Sequence, residues 1–535
     1  MTVSTVSIWY AFIMVSHYID ANIYITEING DFSIIDNHIK VQAAKPVQAN
    51  NVNCDKMTLK TSRVNEDKPL LTGTATLYNQ NGTLPDTNIS CGSINDTLEK
   101  NGANGGSASD YNPLLNRQLE NPTSNFDTMI HLLKGNIGTG ILAMPDAFRN
   151  SGWVVGLVCT ALLGAVCTHC MHILVRCSHE LCVRTQRPSL SFPNVAEMAF
   201  EYGPPKLQKY SSAASKFINT FLVMTQLGFC CVYFLFVATN LQEVITHYFS
   251  IKMSVQSYLL ILLVPMILLN CVKSLKYLTP ASFLATILTV IGLGITFFYL
   301  LQGLPKTLNV KAFSSWQQLP LYFGTAVYAF EGIGMVLPLE NNMKNPESFG
   351  GMTGVLNTGM VIVTCLYTSI GFFGYLRYGE AVKLGSITLN LPCQDLLAQS
   401  VRAAMAFSIF LSYGLQFYVP IGIVWPALKG YFHSQSSQRN AELSIRVFLV
   451  TLTFALAAAI PNLSAIISLV GSFSSSALAL IFPPIIELMT FWDHCSGKEF
   501  TMMFVKDIII IIIGFLGFGF GSYASLWNII EPISS

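Results

Sequence analysis

Charge is scarce in this chain: only 11% of its 535 residues are Asp, Glu, Lys or Arg, whereas 52% are hydrophobic. A soluble protein carries about 25% charged residues, so this chain has too few polar side chains to cover a water-soluble core. Its 30 basic and 29 acidic residues nearly cancel, which removes the electrostatic case for nucleic acid as a partner. We therefore expect membrane lipid to be part of its solvent.

The sequence also lacks the patterns of a disulfide framework, a metal site or an enzyme. Most of the 13 cysteines lie in apolar runs, where Cys is a small buried hydrophobe. Cys167 and Cys170 share a helix face from which His172 turns away. The glycines after His131 match neither a dinucleotide-binding motif nor a P-loop. We predict no catalytic residue, no metal and no cofactor.

The composition changes near residue 125. Residues 1–125 are mostly polar and rich in Asn, Asp, Thr, Ser and Gly, so they cannot bury enough apolar surface to offset the entropy of ordering. The apolar stretch Ile8–Val15 is too short to span a bilayer. We predict a disordered cytosolic N-terminal tail, residues 1–125, and a transmembrane transporter domain, residues 126–535.

The second region contains eleven apolar segments long enough to cross a bilayer as helices. A β-barrel is excluded because runs such as Ile508–Ile513 are apolar on every face. The predicted fold class is thus an all-α polytopic membrane protein. The segments are 126–148, 152–175, 214–241, 257–275, 278–301, 318–340, 352–376, 398–425, 444–461, 463–490 and 503–528.

Basic residues in the short connections predict the orientation. With a cytosolic N-terminus, fourteen Lys or Arg lie in inside loops and six in outside loops. We therefore expect a cytosolic N-terminus and an extracellular or luminal C-terminus. In that orientation the sequons at Asn81, Asn88 and Asn95 do not meet the glycosylation machinery.

We predict that two of the eleven segments, the first and the sixth, are interrupted at glycines. The first has Gly135, Gly138 and Gly140, and the sixth has Gly332 and Gly334. Glycine disfavours helix, so both clusters predict local unwinding, which is tolerated at membrane depth only where it lines a cavity. Paired breaks in segments 1 and 6 fit a 5+5 inverted repeat plus one helix and mark a transporter's binding site.

Such breaks suit a zwitterionic substrate. The half-helix that starts near Gly140 presents unpaired N–H groups to a carboxylate, while freed carbonyl groups can hold an ammonium group. The alternative is that the glycines only permit close packing between helices.

Two ionisable residues accompany the breaks. His131 precedes the first break by about a turn, and histidine changes charge near pH ~6.5, which favours a proton carrier. Its alternative is a neutral histidine bonded to a backbone carbonyl. Glu331 directly precedes Gly332 and is a candidate proton site, a partner for the substrate ammonium, or a structural acceptor. Lys134 is its possible partner or extends to the membrane surface.

The tail carries two acidic dileucine patterns, Glu66–Leu71 and Asp110–Leu115, and the second overlaps a tyrosine-type pattern, Tyr111–Leu114. These are typical of sorting signals, so we predict binding of sorting adaptors and delivery to late endosomes or lysosomes.

Several blocks resemble the proton-coupled amino acid transporters of the amino acid/auxin permease group, over about 126–528. The blocks are His131–Met144, Thr168–Arg176, Thr225–Tyr233, Ala329–Gly334, Gly371–Gly379 and Leu415–Pro420. The resemblance implies a LeuT-like fold and symport of small neutral amino acids (the alanine, glycine and proline class) with protons, at the plasma membrane or the lysosome.

By this resemblance, His131 is the family's proton-coupling histidine. The unwound substrate-binding segment is Gly135, Asn136, Gly138, Thr139 and Gly140, and Phe330 and Glu331 face it from segment 6. Relatives pair a cysteine equivalent to Cys393 with one in the loop between helices 3 and 4. That loop, about 242–256, has no cysteine here, so Cys393 is free or differently paired.

Two other functions stay open. One is an amino-acid-sensing receptor that binds its ligand at the same breaks with little flux. The other is a sodium-coupled amino acid transporter, because unwound carbonyl groups also coordinate sodium.

Overall fold

The computed structural model describes part of the chain, and residues 1–116, which hold the sorting motifs and sequons, lie outside it. Every described residue belongs to one compact unit. The described residues are Arg117, Leu119, 121–250, 252–272, 275–302, 304, 310–493 and 497–534.

The described residues form helices, and the one β contact among them is a bridge between Thr123 and Met343. The α-helices are α1 Asn125–Asn136, α2 Thr139–Ser151, α3 Trp153–Thr185, α4 Phe192–Glu201, α5 Ser211–Phe249, α6 Val255–Cys271, α7 Leu275–Leu301, α8 Leu319–Ala329, α9 Ile333–Asn341, α10 Val355–Tyr378, α11 Leu396–Lys429, α12 Gln435–Ala459, α13 Leu463–Val470, α14 Phe482–Thr490, α15 Lys498–Leu516 and α16 Ser522–Ser534. Three π-helical segments, Gly471–Ser475, Ala477–Ile481 and Gly517–Gly521, join α13 to α14 and α15 to α16.

Nine helical stretches in the described part of the chain are long and apolar enough to cross a membrane. They are α3, α5, α7, α8 with α9, α10, α11, α12, α13 with α14, and α15 with α16. The other two predicted segments correspond to the pair α1–α2 and to α6, which has 17 residues. The all-α polytopic class is confirmed, and the count of eleven spans stays a prediction.

The predicted segments coincide with these helices, but some helices are longer. The predicted limit near 175 for the second segment is wrong, because α3 continues to Thr185; likewise α5 continues to Phe249 and α12 begins at Gln435. Hydropathy marks the stretch that contacts hydrocarbon, whereas backbone hydrogen bonds carry a helix on into polar sequence.

The two interrupted spans lie in the interior of the bundle. Every residue of α2 except Arg149 is buried, and α2 packs against α8 and α10. In contrast, only 22% of the most apolar 18-residue window of the span formed by α15 and α16 is buried. At the other end of the interrupted span, Ser124 caps α1 in a capping box with Asp127, which fixes where the helix starts. The broken helices are thus enclosed by the unbroken ones.

Candidate functional site

Both interrupted spans break within the predicted glycine clusters. Residues 137–138 separate α1 from α2, and residues 330–332 separate α8 from α9. Gly138 and Gly332 are the N-caps of α2 and α9, and neither helix has a side-chain cap. The first N–H groups of both half-helices therefore lie at the interruptions without a side-chain acceptor. The predicted helix breaks are confirmed.

Glycine allows the two interruptions to touch. A Cβ atom on Gly140 would lie 2.7 Å from the Cα of Ala329, and one on Gly332 would lie 2.7 Å from Oδ1 of Asn136. Both distances are shorter than ordinary van der Waals contact, so a larger residue requires a shift of the helices. Gly140 and Gly332 do serve close packing, and that packing brings the unwound segments together.

The other two glycines of the first cluster have different neighbours. A Cβ on Gly135, in the last turn of α1, would overlap the side chain of Met335 on α9. A Cβ on Gly138 would lie 3.1 Å from the hydroxyl oxygen of Tyr233 on α5. The first interruption therefore faces both α9 and α5.

One hydroxyl group contacts the ends of both half-helices. Oη of Tyr367, on α10, lies 2.5 Å from the carbonyl oxygen of Asn136 and 2.8 Å from that of Ala329. These are the last residues of α1 and α8, whose carbonyl groups lack partners within the helix. A hydroxyl has one proton, so two freed carbonyl groups share one donor.

Buried polar atoms without hydrogen-bond partners surround the interruptions. Asn136 donates through Nδ2 to the carbonyl oxygen of Leu132 at 2.9 Å, but its Oδ1 has no partner. Oε2 of Glu331 is also buried without a partner, and the hydroxyl of Ser475 lies next to the Glu331 carboxyl. Since buried polar atoms are normally hydrogen-bonded, the unpartnered atoms make the two breaks a candidate binding site.

Aromatic side chains close the space around these atoms. Oη of Tyr328 lies 2.9 Å from Oγ1 of Thr139, and the rings of Phe330 and Tyr367 lie 5.0 Å apart. All four side chains are buried. These side chains therefore pack closely around the two breaks.

The charged candidates on α1 lie elsewhere. His131 is exposed, whereas Glu331 is buried. Lys134 donates from Nζ to the backbone and side-chain oxygens of Ser282 on α7, not to Glu331. Thus Asn136, Gly138, Thr139, Phe330 and Glu331 come together, and His131 stands apart on the outer face of α1.

The sequence indicated some pocket residues and missed others. Tyr367 and Ser475 were missed. Their only signal is a polar residue inside an apolar span, and nothing in the sequence shows which way such a residue faces.

The segment before α1 is joined to the end of α9. Arg117 forms an ion pair with Glu340 at 3.0 Å, and His179 of α3 lies 2.8 Å from the same carboxylate. The backbone N–H of Thr123 donates to the carbonyl of Asn342 at 2.8 Å. Both side chains of the Arg117–Glu340 pair are almost fully buried. This end of the bundle is therefore closed by contacts between the two interrupted spans.

The connection from α10 to α11 is held without a disulfide. Cys393 is free, in agreement with one of the two expected states. Arg402 of α11 donates to the carbonyl oxygens of Thr388, at 3.0 Å, and Leu391. Thr388 in turn donates to Oδ1 of Asn240 on α5 at 2.7 Å. A guanidinium and a hydroxyl thus tie the loop to α11 and α5.

The cysteine and histidine motif in α3 forms no metal cluster. No group of three His, Cys, Asp or Glu suited to a metal is found among the described residues. His172 instead lies 2.7 Å from Oδ1 of Asn357 on α10, so its ring joins two helices.

Comparison with known proteins shows one family over the membrane region. Residues 121–527 match the family described as transmembrane amino acid transporter protein. The chain is 40% identical to the proton-coupled amino acid transporter-like protein pathetic of Drosophila melanogaster over 426 residues, which cover 80% of this chain and 89% of that protein. It is 29% identical to the probable amino acid transporter skat-1 of Caenorhabditis elegans, over 76% of this chain and 90% of that one. These relatives are named as transporters rather than enzymes.

Among solved structures, Mhp1, a nucleobase-cation-symport-1 family transporter in a closed conformation, is 13% identical with a TM-score of 0.43. The match covers 78% of this chain and 93% of that one.

Proposed function

Because this chain belongs to the transmembrane amino acid transporter family, we propose that it is a proton-coupled symporter of small neutral amino acids such as alanine, glycine and proline. The observation that carries the proposal is the meeting of two helix breaks around the unpartnered acceptors of Asn136 and Glu331. A relative named as proton-coupled, 40% identical, supports the choice of coupling ion.

The two ends of a zwitterion fit different parts of this site. The uncapped N-terminus of α2, from Thr139 and Gly140, offers N–H groups and the positive end of a helix dipole to the carboxylate. Asn136 Oδ1 and Glu331 Oε2 offer acceptors to the ammonium group. Both ends of the substrate then satisfy polar atoms that are otherwise buried unpaired.

The side chain of the substrate has little room. Tyr233 Oη lies 3.1 Å from the position of a Cβ on Gly138, and Phe330 is fully buried beside the second break. A branched or charged side chain would displace these rings. This enclosure supports small and neutral substrates.

Protons enter the proposed cycle at His131 and Glu331. A proton from the extracellular or luminal side reaches them, the substrate closes the interrupted spans around itself, and rocking of the bundle releases both to the cytosol. Glu331 lies in the second helix break, whereas His131 lies on the exposed face of α1.

The test is uptake of labelled alanine, proline and glycine in sodium-free choline medium at about pH 5.5 and about pH 7.5. We expect uptake by the wild type to rise in acid and the acid stimulation to disappear in His131→Ala. His433→Ala, another exposed histidine outside the interrupted spans, is the matched control.

Two results contradict this proposal. Uptake that requires sodium at both pH values supports the sodium-coupled transporter, and substrate binding without uptake supports a receptor. Gly140→Ala separates binding at the breaks from binding elsewhere, because it clashes with Ala329. Gly294→Ala, whose Cβ meets nothing within 4 Å, is its control.

We further propose that the chain resides in the plasma membrane or in late endosomal and lysosomal membranes, with a cytosolic tail. Replacing the pairs Leu70–Leu71 and Leu114–Leu115 by alanine is expected to move the protein to the cell surface, with Leu84→Ala and Leu98→Ala as controls. An unchanged distribution would reject the sorting signals, and glycosidase-sensitive glycans on Asn81, Asn88 or Asn95 would reject the cytosolic tail.

A further inference from the structure

A second group of ionisable side chains is buried between α3, α14 and α15, away from both helix breaks. Nζ of Lys506 on α15 lies 2.7 Å from Oε2 of Glu487 on α14 and 3.3 Å from Oδ1 of Asp507. Glu487 is 1% exposed and Asp507 is fully buried. Two enclosed carboxyl groups therefore share one nearby ammonium group.

Asp507 is poorly satisfied as an anion. Neither of its oxygens has a hydrogen-bond partner of suitable geometry, even though Lys506 lies close. A buried carboxylate without donors is costly, and like charges on two neighbouring carboxyl groups add to the cost. A proton on Asp507 removes both penalties, so the arrangement is suited to binding and releasing one proton.

Among the described residues, the surrounding groups supply no hydrogen-bond donor to the Asp507 carboxylate. On α3, Arg176 approaches Oε1 of Glu487 at 3.6 Å with a half-exposed side chain, and Nε2 of His169 is enclosed without a partner. Cys170 and Cys177 are also buried on this side of α3, and His172 lies near His169. The π-helical segments Ala477–Ile481 and Gly517–Gly521, which pack on α15, contain no titratable residue.

We propose that Asp507, with Glu487 and Lys506, is a second proton-binding site whose occupancy sets the pH range of transport. It rests on the amino acid transport proposed above but uses none of the residues at the breaks.

The spans that carry this site also contain residues that pack near the proposed substrate site. Glu487 and Ser475 belong to one continuous span and are twelve residues apart, about 18 Å along a helix. The π-helical segment Gly517–Gly521, which follows α15, packs on α8 and on the π-helical segment Gly471–Ser475. A Cβ on Gly517 would overlap the ring of Phe323 on α8, and one on Gly521 would overlap the side chain of Ser472. A change of charge at Asp507 can therefore shift the elements that support the second break.

The test is the pH profile of sodium-free alanine uptake, normalised to surface protein, for Asp507→Asn and Lys506→Gln. Asp507→Asn imitates the protonated state, so uptake at about pH 7.5 should approach the acid value and the acid-to-neutral ratio should fall several-fold. Lys506→Gln removes the charge that favours the anion, so the midpoint of the profile should move to higher pH. Asp493→Asn, an exposed acid just after α14, should keep the wild-type profile.

The outcomes are separable. If the wild type responds to acid while both variants keep its ratio, or lose uptake equally at every pH, the site is structural and the inference is wrong. If the wild type does not respond to acid, proton coupling itself fails, and a second proton site fails with it. Should Asp507→Asn not reach the surface, Lys506→Gln alone decides.

Discussion

The hydroxyl of Tyr367 is a single group that is hydrogen-bonded to both interrupted spans. It contacts the last carbonyl groups of α1 and α8, which come from positions far apart in the sequence. Any movement of one half-helix relative to the other must lengthen at least one of these contacts. Tyr367 is thus a positioning residue for the site rather than a group that reacts.

We expect Tyr367→Phe to reduce uptake at low substrate concentration roughly 10-fold, since a buried carbonyl that loses its donor costs about 1–3 kcal/mol. Concentration-dependent uptake measures this loss. Tyr375→Phe, on the same helix and bonded to Glu380 at 3.3 Å, should leave uptake nearly unchanged. Equal effects of the two substitutions would show that Tyr367 only supports α10.

At the scale of the helix, glycine content predicted the breaks but not which glycines lie in them. Of the first cluster, only Gly138 is in the interruption; Gly135 and Gly140 remain helical. These two positions are glycine because Met335 and Ala329 approach closely from the other interrupted span. The local sequence shows that glycine lowers helix propensity. The close contact that leaves no room for a side chain at these positions forms only in the folded protein.

The same limit explains what was missed. The π-helical segment Gly471–Ser475 lies inside the predicted apolar segment 463–490, and nothing in the sequence indicates its π geometry. The position of Ser475 next to Glu331, which belongs to another span, arises only in the folded structure. His131 was selected by its type and its spacing, but spacing does not show that it faces outward.

The connection between α10 and α11 allows a test at the scale of an element. Because Arg402 donates to the carbonyl groups of Thr388 and Leu391, Arg402→Gln should increase hydrogen–deuterium exchange in residues 379–395 at least several-fold. Cys393→Ser should not, since Cys393 forms no disulfide and serine keeps an acceptor for Nη2 of Arg402, which lies 3.8 Å from Sγ of Cys393. Greater exchange in both variants, or in neither, would contradict Arg402 as the tether.

At the scale of the whole molecule, the eleven predicted apolar segments correspond in order to described helices, and the two interrupted spans are the first and the sixth of them. Helix α4, Phe192–Glu201, lies in none of the predicted segments. What closes the bundle was not predictable. Arg117 belongs to a region predicted as disordered, yet its side chain is buried against Glu340. The polar composition of a segment does not show that one of its residues forms a buried ion pair with the folded domain.

The ion pair between Arg117 and Glu340 holds the segment before α1 against the end of α9, and Glu340→Gln tests this contact. Breaking a buried ion pair costs about 3–5 kcal/mol, so the variant should favour the state in which α1 and α9 separate. A cysteine placed at Ser124 should then react faster with a membrane-impermeant maleimide from the side that faces this end. Glu347→Gln, an exposed acid nearby, is the control, and equal labelling rates would show that the ion pair does not hold this end closed.

The tether at Arg402 also has a consequence for the conditions under which the protein can mature. A disulfide requires an oxidising compartment and can be exchanged by thiols, whereas a guanidinium stays charged throughout the acidic range and needs no oxidant. The loop between α10 and α11 can therefore reach its final shape at the moment of folding, and neither acidity nor reductants in the compartment it faces would undo that attachment.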